Sequence, residues 1–345
     1  MRFSATAVAT ILSISSLVAA HPGHDHSKEI EARAAFMKTS KRDLSHCVAK
    51  RQARGVESRA VARRAATAKA ARSKRGLDAN APFLKARDEA TVLNTTHLSS
   101  VDYDLSTDES VLFASNSSCV LSPEVTQGPY YVSGEYVRAN LTEDQEGVEL
   151  HLDIDVTDVN TCEPVTGAVI EIWACNSTGV YSGIVANGNG DSSDTTNIDK
   201  TFLRGLQPVD SDGVAQFTTL FPGHYTSRAN HFHVLVHQNG TQYANGTYGG
   251  GTVAHVGQLF FDQDLISLVE ATSPYSTNTQ ELTLNSADSV LSSEAASSDP
   301  MVEYSLLGAS VTDGILGWIS FAVDTSNEFN LTPAASLYAS GGVEN

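Results

Sequence analysis

Pro222-Gly223-His224-Tyr225-Thr226-Ser227-Arg228-Ala229-Asn230-His231-Phe232-His233-Val234-Leu235-Val236-His237 reads as a turn, a short polar loop and an alternating run. The period of that run predicts a β-strand, in which residues i and i+2 point to one face with Cα atoms roughly 6 to 7 Å apart. His231 and His233 therefore share one face, and Phe232 and Val234 share the other. A His-x-His pair so placed can converge on one metal ion, and the turn at Pro222-Gly223 lets Tyr225 fold back toward it.

Comparable short runs recur on either side of this one. Val148 to Val156, Ala168 to Trp173, Val214 to Phe221, Gln258 to Phe261 and Gly317 to Val323 are separated by Gly, Asn, Asp and Pro. Runs of that length, with turn signals between them and no sustained helical period, predict an all-β class: a single β-sandwich domain over 91-345. Ala186 to Asp199 and Gln238 to Gly251 read as Gly- and Asn-rich loops. Loops that long in a compact domain serve as lids or site walls.

Charge divides the chain. Eighteen of the twenty-two Lys and Arg lie at or before position 90, which leaves Arg138, Lys200, Arg204 and Arg228 against thirty-two acidic residues. So acidic a domain lacks the basic footprint that nucleic acid or an anionic membrane requires. Residues 1-20, Met1-Arg2 followed by an apolar run and Ala19-Ala20, read as a signal peptide, which predicts a secreted, extracellular protein. Beyond it no segment is long and apolar enough for a membrane helix.

Residues 21-90 are rich in Ala, Arg and Lys and poor in large apolar residues. They read as a basic propeptide or linker that cannot build a core, helical around Ser58 to Ser73 by their Ala content. The pairs Lys41-Arg42, Lys50-Arg51, Arg63-Arg64 and Lys74-Arg75 are of the kind that secretory processing proteases cut. His21, His24 and His26 read as a flexible tag with adventitious metal affinity. Acceptors for N-glycans occur at Asn94, Asn116, Asn140, Asn176, Asn239, Asn245 and Asn330. Cys47, Cys119, Cys162 and Cys175 suit an oxidising compartment and allow three full pairings, among which sequence does not choose. Removal of the leader would take Cys47 with it.

Tyr181, in Val180-Tyr181-Ser182-Gly183 beyond the run Val169 to Trp173, adds a second phenol to Tyr225, His231 and His233. Two phenolates and two imidazoles are hard and borderline donors, suited to Fe(III) rather than to Cu(I) or Zn. With Thr126-Gln127-Gly128-Pro129-Tyr130-Tyr131, the stretch Glu171 to Tyr181, Phe202-Leu203-Arg204-Gly205-Leu206-Gln207, Asp210-Ser211-Asp212-Gly213 and Pro222 to His233, the chain resembles the intradiol ring-cleaving dioxygenases over about Cys119 to Val323.

The resemblance implies a non-haem Fe(III) cofactor held by Tyr181, Tyr225, His231 and His233, a catecholic substrate, and O2 inserted between the two ring hydroxyls to give a cis,cis-muconate-type diacid. Tyr225 matches the axial tyrosine that leaves when substrate binds, Arg228 the arginine beside the substrate ring, and Gln258 the active-site glutamine. Arg204 is expected to support packing or a buried carboxylate, His224 to reach the pocket and His237 to be a strand residue. The helical N-terminal segment through which the bacterial catechol enzymes dimerise is replaced here by the basic leader, so their oligomeric state does not carry over. Two other readings stand beside this one: a secreted metal- or glycan-binding β-sandwich module without turnover, and a copper or zinc enzyme using His231, His233 and the N-terminal histidine.

Overall fold

The structure, a computed structural model, describes residues 44–81, 83, 112–113, 118–120, 128–186, 188–189, 192–295 and 298–345. The expected signal peptide lies outside them. Fourteen strands are described: β1 Ser118–Val120, β2 Val132–Ser133, β3 Glu149–Asp158, β4 Val169–Trp173, β5 Arg204–Pro208, β6 Val214–Leu220, β7 His231–Gln238, β8 Thr241–Gln242, β9 Tyr248–Gly249, β10 Thr252–Phe260, β11 Glu303–Leu306, β12 Ile315–Val323, β13 Ala335–Tyr338 and β14 Gly341–Glu344. One large sheet runs β1-β12-β3-β6 with β11 on β12, and the other runs β10-β7-β4-β5. Their inner faces meet as a sandwich.

The alternation legible in the sequence assigns the faces. Leu150, Leu152, Ile154 and Val156 of β3, Ile170 and Ile172 of β4, Phe232, Val234 and Val236 of β7, and Ile315, Ile319 and Phe321 of β12 form one buried cluster. The opposite parity faces outward. On β7 it carries His231, His233, Leu235 and His237; on β3 it carries His151, Asp153 and Asp155. β10 begins six residues before the expected Gln258, directly after the Gln238 to Gly251 stretch expected to be loop, and pairs with β7 so that Gln258 stands opposite His233.

The leader corrects the expectation of a segment with no core. Two helices, α1 Val48–Ala53 and α2 Val56–Lys74, are described, α2 somewhat longer than the alanine content suggested. Ala65, Ala68 and Ala71 of α2 are buried with Leu307, Phe113, Leu316 and Trp318 against the outer face of the β12 sheet. Alanine brings the helix close, and arginine supplies the rest. Arg63 makes a paired contact with buried Asp153 at 2.7 and 2.9 Å, and fully buried Arg64 donates to Asp153 at 3.3 Å, to the Phe113 carbonyl at 2.8 Å and to Ser320 at 3.3 Å. Arg59 pairs with Asp212, and Arg72 donates to the Leu307 carbonyl.

Of the pairings that sequence left open, Cys47–Cys162 is formed, while Cys175 is a free, buried thiol. The bond closes a separation of 115 residues, for which loop entropy predicts about 4–5 kcal/mol of stabilisation.

Candidate metal centre

Two loops and one strand bring the four expected ligands together. His231 and His233 open β7, and their Nε2 atoms lie 3.3 Å apart. Tyr181 Oη is 3.5 Å from His231 Nε2 and 3.4 Å from His233 Nε2, and Tyr225 Oη is 3.4 Å from His231 Nε2. All four side chains are at most 2 % exposed.

The loops reach this position because glycine permits it. At Gly179, φ is +83° and a Cβ would lie 2.3 Å from the His224 carbonyl oxygen; at Gly223 it would lie 2.1 Å from the Asn176 carbonyl oxygen. Only residues without a Cβ allow the Tyr181 and Tyr225 loops to approach so closely.

Sequence reasoning did not find the groups that hold these ligands. Asn189 accepts from the Tyr181 amide and donates to its carbonyl, as does Asn197 at 2.6 Å. Both asparagines come from the stretch expected to be a site wall, and abundant Asn there gave no means of choosing them. Trp173 stacks on the His233 ring, centroids 4.6 Å apart and planes 4° apart. Tyr130 packs a third phenol 4.9 Å from the Tyr181 ring. His231 Nδ1 lies 2.6 Å from the Ala229 carbonyl. A proton on Nδ1 donated there leaves the Nε2 lone pair facing the cluster.

Arg228 and Gln258, expected to be catalytic, meet beside the ligands through a guanidinium-to-Gln258 Oε1 hydrogen bond. Arg228 is fully buried and donates through Nε to Asp288 at 3.0 Å; Asp288 also accepts from the Ala229 amide at 2.8 Å. Asp288 leads the helix α4, which follows α3 Gln263–Glu270 and spans Ser289–Ala295, and it accepts from the Val290 and Leu291 amides. Asp288 thus caps the helix through one carboxylate oxygen and reaches Arg228 with the other.

Three expectations resolve away from the cluster. His224 is turned to Glu270, 3.0 Å away, and to the Gln280 carbonyl, so it does not line the ligand cluster. His237 is a strand residue as expected, paired with Glu171 at 2.6 Å in the wall of a separate cavity of about 280 Å³. Arg204 is buried near Glu135, 3.8 Å away, and donates to the carbonyls of Ser182 and Tyr130, so it braces both flanks of Tyr181. Among the glycan acceptors Asn176 differs from the exposed Asn140, Asn239, Asn245 and Asn330. Its amide oxygen accepts from Thr178 and Val180 and its nitrogen donates to Gln145.

Electrostatics favours a cation in the cluster. Burial pushes the Tyr181 and Tyr225 phenols well above the ordinary tyrosine range, and the nearby Arg228 pulls both partly back. Burial, then the neighbouring His231, hold His233 neutral. Tyr130 is pushed up to about 12 by burial. Two buried phenol oxygens can be anionic here only beside a metal's positive charge, and neutral His233 offers a lone pair. Donor separations of 3.3 to 3.5 Å match the spacing of atoms bonded at about 2.0–2.2 Å to one ion. The residues present fit a ferric ion.

A model of the dioxygenase family matches residues 126–290. The intradiol ring-cleavage dioxygenase of Tetranychus urticae superposes with a TM-score of 0.51 at 30% sequence identity, covering 62% of this chain and 99% of that one. This chain belongs to the intradiol ring-cleavage dioxygenase family. A catechol 1,2-dioxygenase of Acinetobacter lwoffii is 33% identical over 109 residues, 30% of this chain and 32% of that protein, so the match spans about a third of the curated relative. As an intradiol dioxygenase the chain has the β-sandwich expected of it, and the family uses non-haem Fe(III) and acts on catecholic substrates with O2.

Proposed function

We propose that this intradiol dioxygenase is secreted, holds Fe(III) through Tyr181, Tyr225, His231 and His233, and opens catecholic rings between the hydroxyls to a cis,cis-muconate-type diacid. The observation that carries the reading is the convergence of those two phenol oxygens and two imidazole nitrogens in one buried cluster. Secretion is supported by the leader's first twenty residues and by the Cys47–Cys162 bond, which suits an oxidising compartment.

When bound, the ferric ion supplies Lewis-acid activation of a chelating catechol toward O2. The protein's own groups do the rest. Tyr225, raised by burial, is as its anion a strong base able to take one of the protons the catechol must lose. Arg228 is a fixed cation, oriented by Asp288 and Gln258, that stabilises negative charge developing on the ring carbon attacked by oxygen. Trp173 keeps the His233 ring in plane, and the aromatic wall of Tyr130 and Trp173 excludes water.

The test is one preparation of the protein carrying iron. It should show stoichiometric iron, a visible tyrosinate-to-Fe(III) absorption band and conversion of catechol to a ring-opened diacid under O2. Tyr181→Phe should lose colour and turnover together, whereas Arg228→Ala should keep iron and lose most turnover. A colourless protein that leaves every catechol untouched would sink the proposal.

A further inference from the structure

Among the described residues, the three dibasic pairs stand in different environments, while Lys41-Arg42 lies outside them. Lys50-Arg51 lies within α1, where Lys50 donates to the Thr161 carbonyl and Arg51 to Thr157. Arg63-Arg64 lies mid-helix in α2, with Arg64 fully buried and both guanidiniums on Asp153. Lys74-Arg75 ends α2. Residues 73 to 76 are all exposed, and Gly76 turns the chain at φ +71° with open space around it. Arg75 reaches Glu149 at 3.2 Å and the Thr312 carbonyl at 3.0 Å, contacts at the protein surface that salt and water weaken.

A protease must draw several residues of its substrate into an extended strand. An exposed helix end frays into that form readily, whereas the middle of a packed helix requires a larger opening. The same leader is tied to the domain independently of the chain running through Gly76. Cys47 is bonded to Cys162, Arg59 pairs with Asp212, and Arg63 and Arg64 hold Asp153.

We propose that, among the basic pairs of the described residues, Lys74-Arg75 is the site cut by a protease specific for paired basic residues, and that the cut yields a disulfide-linked two-chain protein whose leader stays in place. The reaction is hydrolysis of the Arg75–Gly76 bond: water adds across it, leaving a carboxylate on Arg75 and an amine on Gly76, with no other reactant. The leader is then a permanent strap over the outer face of the β12 sheet, not a disposable propeptide. Its loss would uncover Asp153, Leu316 and Trp318.

The experiment digests the folded full chain with a dibasic-specific protease and maps the cuts by mass spectrometry. Cleavage after Arg75 should run at least about tenfold faster than after Arg51 or Arg64, where cutting waits on opening of packed helix. In denaturant the cut protein should remain one species until reductant is added and then separate into two. In Cys47→Ser the cut pieces should separate in denaturant alone. Absence of a cut after Arg75, equal cutting at Arg64, or release of the leader from the unreduced parent protein would overturn the proposal.

Discussion

Arg228 donates through Nε to Asp288 at 3.0 Å, across a sequence separation of 60 and between two fully buried side chains. The same carboxylate oxygen takes the Ala229 amide, and the Ala229 carbonyl faces His231 Nδ1. One acid therefore orients both the cation and, through the single residue Ala229, an imidazole of the candidate ligand cluster. Removing that charge while keeping an acceptor, as in Asp288→Asn, should lower kcat about 100-fold, the scale of a misplaced catalytic group. KM and iron content should change little. Steady-state kinetics with iron analysis checks this, and an unchanged kcat would show that Arg228 is held adequately without Asp288.

Gly179→Ala tests the approach of the two tyrosine loops. An added Cβ meets backbone at the His224 carbonyl, and positive φ makes any side chain costly there. The expected result is a folded sandwich, with unchanged far-ultraviolet circular dichroism, that loses the visible iron band. Retention of full colour would mean that the loops yield without disturbing Tyr181 and Tyr225.

The carboxyl of Glu135 is completely buried and neither oxygen has a hydrogen-bond partner; burial raises it to about 8, against the opposing pull of Arg204. Between its unfolded value near 4.5 and about 8, the folded state binds a proton that the unfolded state has lost. Stability contributed by the protonated form is therefore full below 4.5 and falls by about 1.4 kcal/mol per pH unit across that window. Glu135→Gln removes the dependence, so the Tm of the variant relative to the parent should rise from pH 5 to pH 8. An unchanged difference over the same range would show that Glu135 is ionised in the folded state and paired with Arg204.

Asp153→Ala leaves Arg64 buried without its carboxylate. Breaking a buried pair this way costs about 3–5 kcal/mol, so denaturant unfolding should show a large loss of stability. Turnover per folded molecule should be unchanged, because the strap and the ligand cluster lie on opposite outer faces of the sandwich. A matching loss of kcat would mean that the two faces are coupled.

How much of this was legible depended on the range of the interaction. His231 and His233 were readable because a two-residue period is local, and the inward parity of Phe232, Val234 and Val236 follows from the same period. Tyr181 was readable only as part of an ordered set of motifs, since a lone turn tyrosine carries no signal. Asp288, Asn189 and Asn197 were not readable as site residues because their partners are supplied by tertiary folding. The leader was misjudged for a different reason. Its contacts are alanine methyls and guanidiniums, and a search for large apolar residues passes over both. Disulfide pairing was closed to sequence altogether, since any two of the four cysteines could meet.

The chain contains two tryptophans, and the fold puts one on each outer face: Trp173 stacked on His233, and Trp318 beneath α2 with Arg64 5.6 Å from its ring. The protein therefore carries its own pair of optical gauges. Emission from Trp173 should be quenched when the visible-absorbing ferric centre fills, while Trp318 should respond to solvent when the strap lifts. Replacing either one by Phe would leave a single-fluorophore protein that reports one event in silence from the other.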